Sequence, residues 1–244
     1  MSKFAIPAAV SRTRAPTAIS IITTSTIARC SFTRVSLPSV GKGQVLRVGS
    51  VTSTQDIARE LPVGSIVVAD HQSAGRGRLD RRWEAPPGTA LLVSFVLARN
   101  RNPVLSLAAG VAAAQACGPN VRLKWPNDLL LDDRKLGGIL VETNEDKAIC
   151  GVGVNLSWAP AGAARLEQPR DEVLERLRIE IDRWTAAPQD AVLGRWRELS
   201  ATLGRRVRVE LAGQTTEGIA RDIGPLGELI VDGEAFVAGS LTHL

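Results

Sequence analysis

The stretch "LKWPNDLLLDDRKLGGILVET", residues 123–143, decides the fold. Its first strand ends at Pro126, because proline cannot donate to a ladder of hydrogen bonds. A short return then leads into a longer apolar strand that begins at Lys135 and contains two glycines. "EDK" at 145–147 forms a tight hairpin into another apolar strand. We therefore expect sheet strands at 121–125, 135–143 and 148–156.

The flanking sequence adds helices and further strands to this sheet. Ser53 caps a short helix that Pro62 ends, and Asn102 opens an almost wholly apolar helix that Gly118 stops. A helix with so little polar surface belongs in the core. The other predicted elements are strands at 65–69 and 89–98, amphipathic helices at about 170–186 and 188–199, and short alternating strands over 205–244. This order predicts an α+β fold with a small C-terminal β-barrel.

The excess positive charge lies in the N-terminal extension. The chain has 244 residues, with 30 Lys and Arg against 25 Asp and Glu. Residues 1–55 hold seven of these basic residues and no acid, which leaves 23 against 25 in the remainder. A near-neutral folded part lacks the basic surface that sequence-independent DNA binding needs, so we expect no nucleic-acid partner. No run approaches the roughly 18 apolar residues of a membrane helix, so we expect no membrane partner either.

Residues 1–44 are predicted to be a basic, disordered extension. Their composition is rich in Ser, Thr, Ala and Arg, which also resembles an organellar transit peptide, and that alternative stays open. A misassigned start is a further alternative. The three cysteines, Cys30, Cys117 and Cys150, are widely spaced and show no metal-binding pattern. They favour a reducing compartment, and we expect a cytoplasmic protein.

"HQSAGRGRLDRRW", residues 71–83, suggests an anion-binding segment. Neither the dinucleotide-binding glycine pattern nor the Walker pattern is complete here. Anions would instead be held by the arginine side chains, whose forked donors match carboxylate and phosphate oxygens. Trp83 could then stack on an aromatic base. The alternative is a solvated charged loop between two strands.

Two further polar residues stand at the ends of apolar strands. Lys135 at the start of its strand could point into a pocket and neutralise a carboxylate and then a developing acyl-phosphate. Alternatively, it extends into solvent from a strand end. Asn155 closes a buried strand, where its amide needs a partner, either a ligand or a turn.

These motifs, in this order and spacing, resemble the biotin–protein ligases, in particular the biotin–[acetyl-CoA-carboxylase] ligases without a DNA-binding domain. The motifs are "STQ", "HQSAGRGRLDRRW", "LKWPNDLLLDDRKLGGILVET" and "GVGVNL". The resemblance covers about residues 45–244. It implies a catalytic domain like that of class II aminoacyl-tRNA synthetases at 45–198 and an SH3-like domain at 199–244.

The resemblance also implies roles for individual residues. Lys135 and Arg76 would be the catalytic residues, acting through charge, and no residue would be a covalent nucleophile or a fixed metal ligand. The implied biotin-binding residues are Ser53, Thr54, Gln55, Gln72, Gly75, Arg76, Gly77, Arg78, Lys135 and Gly138. The implied nucleotide-binding residues are Arg78, Trp83, Asn127 and Asn155.

The implied reaction activates biotin with ATP and Mg²⁺ as biotinyl-5′-AMP and transfers it to a lysine of a biotin carboxyl carrier domain. The arginine segment would order over the bound ligand. A second copy of the chain, forming a homodimer, is a further candidate partner. The alternative functions are lipoate ligation on the same scaffold, a biotin-responsive repressor and a plain SH3-like interaction module. The chain departs from the family pattern at Gln55, where the family usually has Asn, and at Asp80–Arg82, which replaces a glycine-basic continuation.

Overall fold

A computed structural model describes residues 45–99 and 102–244. The predicted extension over residues 1–44 lies outside the described residues. Within them the chain forms four helices and fourteen strands. The helices are α1 (Thr54–Arg59), α2 (Leu105–Cys117), α3 (Arg170–Thr185) and α4 (Gln189–Leu199). The strands before α3 are β1 (Val45–Val51), β2 (Ile66–Gln72), β3 (Gly75–Arg76), β4 (Arg82–Trp83), β5 (Ala90–Ala98), β6 (Arg122–Lys124), β7 (Asp128–Leu131), β8 (Arg134–Thr143) and β9 (Lys147–Asn155). Those after α4 are β10 (Arg206–Leu211), β11 (Gln214–Ile223), β12 (Leu229–Val231), β13 (Glu234–Phe236) and β14 (Ser240–His243).

The larger part of the described chain is built on one seven-stranded sheet of order β1-β2-β5-β9-β8-β7-β6. β1 pairs with β2 in parallel, and every other neighbouring pair is antiparallel. The predicted hairpin between β8 and β9 is confirmed, with Thr143 opposite Ala148. The second half is a five-stranded antiparallel sheet of order β13-β12-β11-β10-β14. This arrangement confirms the α+β fold with an SH3-like C-terminal unit.

The two faces of the large sheet have different partners. Alternate residues of β5 and β9, such as Val93 and Val152, face α2 and α3 and belong to the main core. The residues between them face α1, where Val96 and Ile149 form a smaller apolar cluster with Ala58. β9 carries glycine at the next two positions of this second face. The second face is therefore apolar beneath α1 and open farther along the strand.

Helix α2 is buried along nearly its whole length because it lies between the sheet and α3. Burial on all sides explains why its sequence has almost no polar face. The helix ends at Gly118, whose φ of 126° suits a glycine. No helix in the described part of the chain has both the length and the apolarity needed to cross a bilayer.

The structure corrects the sequence-based prediction at four places. Helix α2 begins at Leu105 with Val104 as its N-cap, so the predicted cap at Asn102 lies ahead of the helix. β1 was not predicted as a strand, and β7 was predicted as a return rather than a strand. The arginine segment was predicted to be loop throughout. Its ends instead form the two-stranded ribbon β3–β4, in which Gly75 pairs with Trp83 and Arg76 with Arg82.

Candidate active site

One large cavity opens on the second face of the sheet. Its volume is about 510 Å³, and its lining includes residues of α1, the arginine segment, the sheet strands β5 to β9 and the start of β14. The cavity wall includes twelve of the thirteen site residues that the sequence singled out. They are Ser53, Thr54, Gln55, Gln72, Arg76, Gly77, Arg78, Trp83, Asn127, Lys135, Gly138 and Asn155. Gly75 does not line the cavity, although its neighbour Arg76 does.

Buried hydrogen bonds hold the inner end of the cavity. Gln72 Oε1 accepts from Thr54 N at 2.7 Å and lies 3.0 Å from Thr54 Oγ1. Gln55 Nε2 donates to Leu140 O at 3.2 Å, and Gln55 is only 3% exposed. This end of the cavity therefore presents amide and hydroxyl groups in fixed positions, which suits a polar, uncharged ring.

Ser53 acts first as the cap of α1. Its Oγ accepts from Gln55 N at 3.3 Å, and its backbone is extended, as an N-cap requires. The helix places Thr54 and Gln55 in its first turn, facing the sheet. The predicted helix and its cap are confirmed.

Arg76 forms ion pairs with two acidic residues. Its Nη1 lies 3.0 Å from Asp56 Oδ1 and its Nη2 lies 3.7 Å from Glu142 Oε2. Arg59 binds the same two carboxylates at 2.8 and 2.6 Å. Arg76 Nε and Nη2 are buried and have no hydrogen-bond partner among the described residues. The guanidinium thus retains donors for an incoming anion.

The outer part of the cavity is electropositive. Asp128 is a carboxylate among cations, and its Oδ1 lies 2.6 Å from Lys135 Nζ. Burial lowers the pKa of Lys124, Asp128 opposes that shift, and Lys135 and Arg81 add to it. Burial also lowers the pKa of Arg78. Several partly desolvated cations around one acid favour a ligand with several negative charges.

Trp83 lies flat against bare backbone. A Cβ at Gly153 would be 2.8 Å from Trp83 Cε2, and one at Gly138 would be 3.8 Å from Trp83 Cζ3. The indole Nε1 is buried without a partner in the described chain. The pairing of β3 with β4 also requires glycine at position 75, because a Cβ there would lie 2.4 Å from Trp83 O. The ribbon and the glycines together hold the indole at the cavity wall.

The two asparagines at the cavity edge bind backbone groups. Asn127 Nδ2 donates to Ile139 O at 2.7 Å, and Asn155 Nδ2 donates to Ala164 O at 2.9 Å. The sequence left open whether the partner of the Asn155 amide is a ligand or a turn. In the structure its amide nitrogen donates to the backbone of the segment that follows β9. Both residues still line the cavity.

Neither described cysteine takes part in this site. Cys117 and Cys150 are free and buried, and burial raises the pKa of each thiol to about 12. A thiol with so high a pKa is a poor nucleophile at neutral pH. Nor do three His, Cys, Asp or Glu side chains meet as a metal site in the described part of the chain.

The role of Lys124 and the contact of the arginine segment with the C-terminal sheet escaped the sequence analysis. Lys124 had a detectable signal, since it follows buried Leu123 at the end of a strand, but no role was assigned to it. Arg81 donates to Ser240 Oγ of the C-terminal sheet at 2.6 Å, a contact between distant parts of the chain. Such contacts have no local sequence signal.

Comparison with known proteins places the chain in a family. Residues 45–156 match the biotin/lipoate A/B protein ligase family, and residues 202–237 match the biotin protein ligase C terminal domain. The biotin–[acetyl-CoA-carboxylase] ligase of Mycobacterium tuberculosis is 38% identical over 213 residues, covering 74% of this chain and 79% of that protein. The chain belongs to the biotin/lipoate protein ligase family.

Other members of this family extend the likeness. The bifunctional ligase/repressor BirA of Escherichia coli is 29% identical over 73% of this chain, and the match spans 64% of BirA. The biotin protein ligase of Aquifex aeolicus, solved with biotin and ATP, aligns with a TM-score of 0.70 at 25% identity. That alignment covers 82% of this chain and 99% of the Aquifex chain. Both the catalytic fold and its C-terminal unit are therefore those of the ligase family.

Proposed function

We propose that the protein is an ATP-dependent biotin ligase. It activates biotin as biotinyl-5′-AMP and then transfers the biotinyl group to one lysine of a biotin carboxyl carrier domain. One observation carries this proposal: a single cavity of about 510 Å³ joins a buried amide and hydroxyl network to a cluster of cations. The names of the Mycobacterium relative and of the Aquifex structure support the same substrates.

In the first half-reaction, the biotin carboxylate attacks the α-phosphorus of ATP and pyrophosphate leaves. Mg²⁺ enters as part of the ATP substrate. Arg76 and Lys135 hold the carboxylate near the phosphorus and compensate the charge that develops there. For this role Arg76 exchanges its bonds to Asp56 and Glu142 for bonds to the ligand.

Arg78 and Trp83 serve the nucleotide in this proposal. The guanidinium of Arg78 binds phosphate oxygens, and the indole of Trp83 offers a face for the adenine base. Asn127 and Asn155 shape the same wall. The arginine segment then covers the mixed anhydride and keeps water from hydrolysing it.

In the second half-reaction, the lysine amine of the carrier domain attacks the acyl carbon of biotinyl-5′-AMP. A new amide bond forms, the acyl–phosphate bond breaks, and AMP leaves with the electron pair. The amine loses a proton to solvent. No covalent intermediate with the protein is needed, which agrees with the burial of Cys117 and Cys150.

Transfer of labelled biotin to an isolated carrier domain tests the proposal. We expect label on the carrier only when ATP is present, and none on a carrier whose target lysine is replaced by arginine. Lipoic acid is tested in parallel, because the family model includes lipoate ligases. The buried polar network favours biotin, whose ring is polar, over lipoate, whose ring is apolar. Efficient lipoate transfer with none of biotin would contradict the proposal.

The carrier domain is the one macromolecular partner that this reaction requires. A homodimer and a cytoplasmic location stay predictions, and light scattering and cell fractionation test them. We also expect no DNA binding, so a gel shift by the full chain in the presence of biotin and ATP would contradict us. That outcome is relevant because the Escherichia coli relative is a ligase and a repressor.

A further inference from the structure

Ser94 lies at the centre of β5, beneath the first turn of α1, and has no exposed surface. Its side chain touches two residues of that turn. Ser94 Oγ is 2.8 Å from Thr54 Oγ1 and 3.1 Å from Gln55 Oε1. It does not line the cavity, yet it contacts two side chains that do. Any influence of Ser94 on a ligand therefore passes through Thr54 and Gln55.

The hydroxyl of Ser94 lies within donating distance of both Thr54 Oγ1 and Gln55 Oε1. Thr54 Oγ1 in turn donates to Gln72 Oε1 at 3.0 Å, and Thr54 N donates to the same oxygen at 2.7 Å. The described residues give Gln55 Oε1 no donor other than Ser94. Both buried amide oxygens therefore face hydrogen-bond donors of the protein.

This arrangement fixes what the two amides offer to a ligand. The amide oxygen of Gln55 faces the Ser94 hydroxyl, and one N–H of the same amide donates to Leu140 O. The Gln72 oxygen is held by Thr54. Each amide thus turns its oxygen toward the protein and keeps an N–H group for the cavity. A pair of N–H donors selects a ligand that carries an acceptor.

The position of Ser94 also explains why glutamine fits at position 55. Ser94 and Gly151 are register partners on neighbouring strands. A Cβ at Gly151 would lie 3.2 Å from Gln55 Cδ, closer than ordinary van der Waals contact. The longer glutamine amide therefore rests on bare backbone on one side and on the Ser94 hydroxyl on the other.

We propose that Ser94 is a positioning residue for substrate specificity, which orients the Gln55 amide so that the cavity recognises the ring carbonyl of a cyclic urea. This inference rests on the proposed function and deepens it. It predicts that loss of the Ser94 hydroxyl weakens recognition of the ring carbonyl and leaves the reacting carboxylate, at the other end of the cavity, unaffected.

The test compares Ser94→Ala with the control Ser65→Ala. Ser65 is also a buried serine, but its hydroxyl has no hydrogen-bond partner among the described residues. Pyrophosphate release gives kcat and KM for biotin. Competition gives the inhibition constant of 2-iminobiotin, whose ring guanidinium has N–H donors in place of the carbonyl oxygen. Melting temperatures of all variants are measured alongside.

We expect Ser94→Ala to raise the KM for biotin about tenfold, the scale of one lost buried hydrogen bond. We expect kcat to stay within about twofold and the 2-iminobiotin constant to change little. Ser65→Ala should match the wild type. Ser94→Cys keeps a weak donor, so its KM should lie between those of wild type and Ser94→Ala. This variant also serves if Ser94→Ala folds poorly.

Two failures can be distinguished. If the wild type releases pyrophosphate with biotin and Ser94→Ala changes both ligands equally, or neither, the inference about Ser94 is wrong and the proposed function stands. If the wild type neither binds nor activates biotin, the proposed function is wrong, and the inference is overturned with it.

Discussion

The sequence left two interpretations of Lys135, an amine that points into a pocket and an amine that extends into solvent, and the structure bears on both. Its amine lies at the cavity wall, is bound to Asp128 Oδ1 at 2.6 Å, and keeps 43% of its side-chain surface exposed. A lysine that merely extended into solvent would not need to line the cavity. The ion pair with Asp128 holds the amine at the cavity wall, as the proposed charge-stabilising role requires.

Lys135→Ala should therefore nearly abolish formation of the adenylate. Loss of one preorganised charge at a reacting centre costs about 10²–10³-fold in kcat. Pyrophosphate release with biotin and ATP measures the effect. Lys147→Ala is the control, because Lys147 Nζ donates to the carbonyls of Arg59 and Leu61 near the end of α1 and does not line the cavity. Near-normal release by Lys135→Ala would contradict the role we assign.

How far the site could be predicted differs from residue to residue. Lys135, Gln72 and the arginines belong to contiguous motifs whose chemistry is visible in the sequence. Ser94 is separated from Gln55 by 39 residues and from Thr54 by 40. Glu142 meets Arg76 only because β8 passes beside α1 and the arginine segment. A contact set by the register of a sheet has no local signature, so these residues were not predicted.

At the scale of elements, local signals predicted best. The apolar spacing predicted α1 to α4 within a few residues of their observed bounds, and the predicted cap at Ser53 is the N-cap of α1. The predicted cap at Asn102 is not the N-cap of α2, which is Val104. β1 was missed because its pairing with β2 is parallel and spans α1, and because its residues alternate poorly in burial. The ribbon β3–β4 was missed because each strand has only two residues and is defined only by its pairing with the other strand.

Helix α1 has only six residues, so its N-cap matters for the position of the ligand-facing first turn. Ser53→Ala should lower the free energy of unfolding by about 1 kcal/mol, and Ser53→Gly by only a few tenths. Chemical denaturation measures both. Biotin KM should follow the same order, since a frayed first turn misplaces Gln55. An equal effect of the two variants on KM would instead indicate direct contact of the hydroxyl with biotin.

At the scale of the whole molecule, the C-terminal sheet is joined to the catalytic body close to the active site. Trp125 Nε1 donates to Gly227 O at 3.1 Å, and Trp125 N donates to Thr202 Oγ1 at 3.1 Å. Thr202 Oγ1 in turn lies 3.2 Å from His243 Nε2. The KWPND segment thus has the catalytic cavity on one side and the C-terminal sheet on the other.

This junction should respond to acid through His243. Burial, with Lys124 and Arg205 nearby, lowers the pKa of His243 to about 4, whereas an unfolded histidine has a pKa of about 6.5. Between these values the unfolded chain binds a proton that the folded chain does not. The free energy of unfolding therefore falls as the pH drops from about 6.5 to about 4.

Replacement of the imidazole isolates this effect from that of the carboxylates. His243→Gln should lose less stability than the wild type between pH 7 and pH 5, as measured by denaturation at each pH. His71→Gln is the control, because His71 lies at the surface beside Ser50 and away from the junction. If His243→Gln and the wild type lose stability in parallel, the assigned titration is wrong.

The bare stretch of β9 has a consequence for what the protein can be made to accept. Gly151 and Gly153 are the smallest residues available, so mutation at either position can only shrink the chamber. Engineering toward a bulkier acid would instead have to shorten Gln55 or Trp83, the two side chains that rest on those glycines. A variant that accepts a larger acid would therefore lose some of the side-chain contacts that bind biotin.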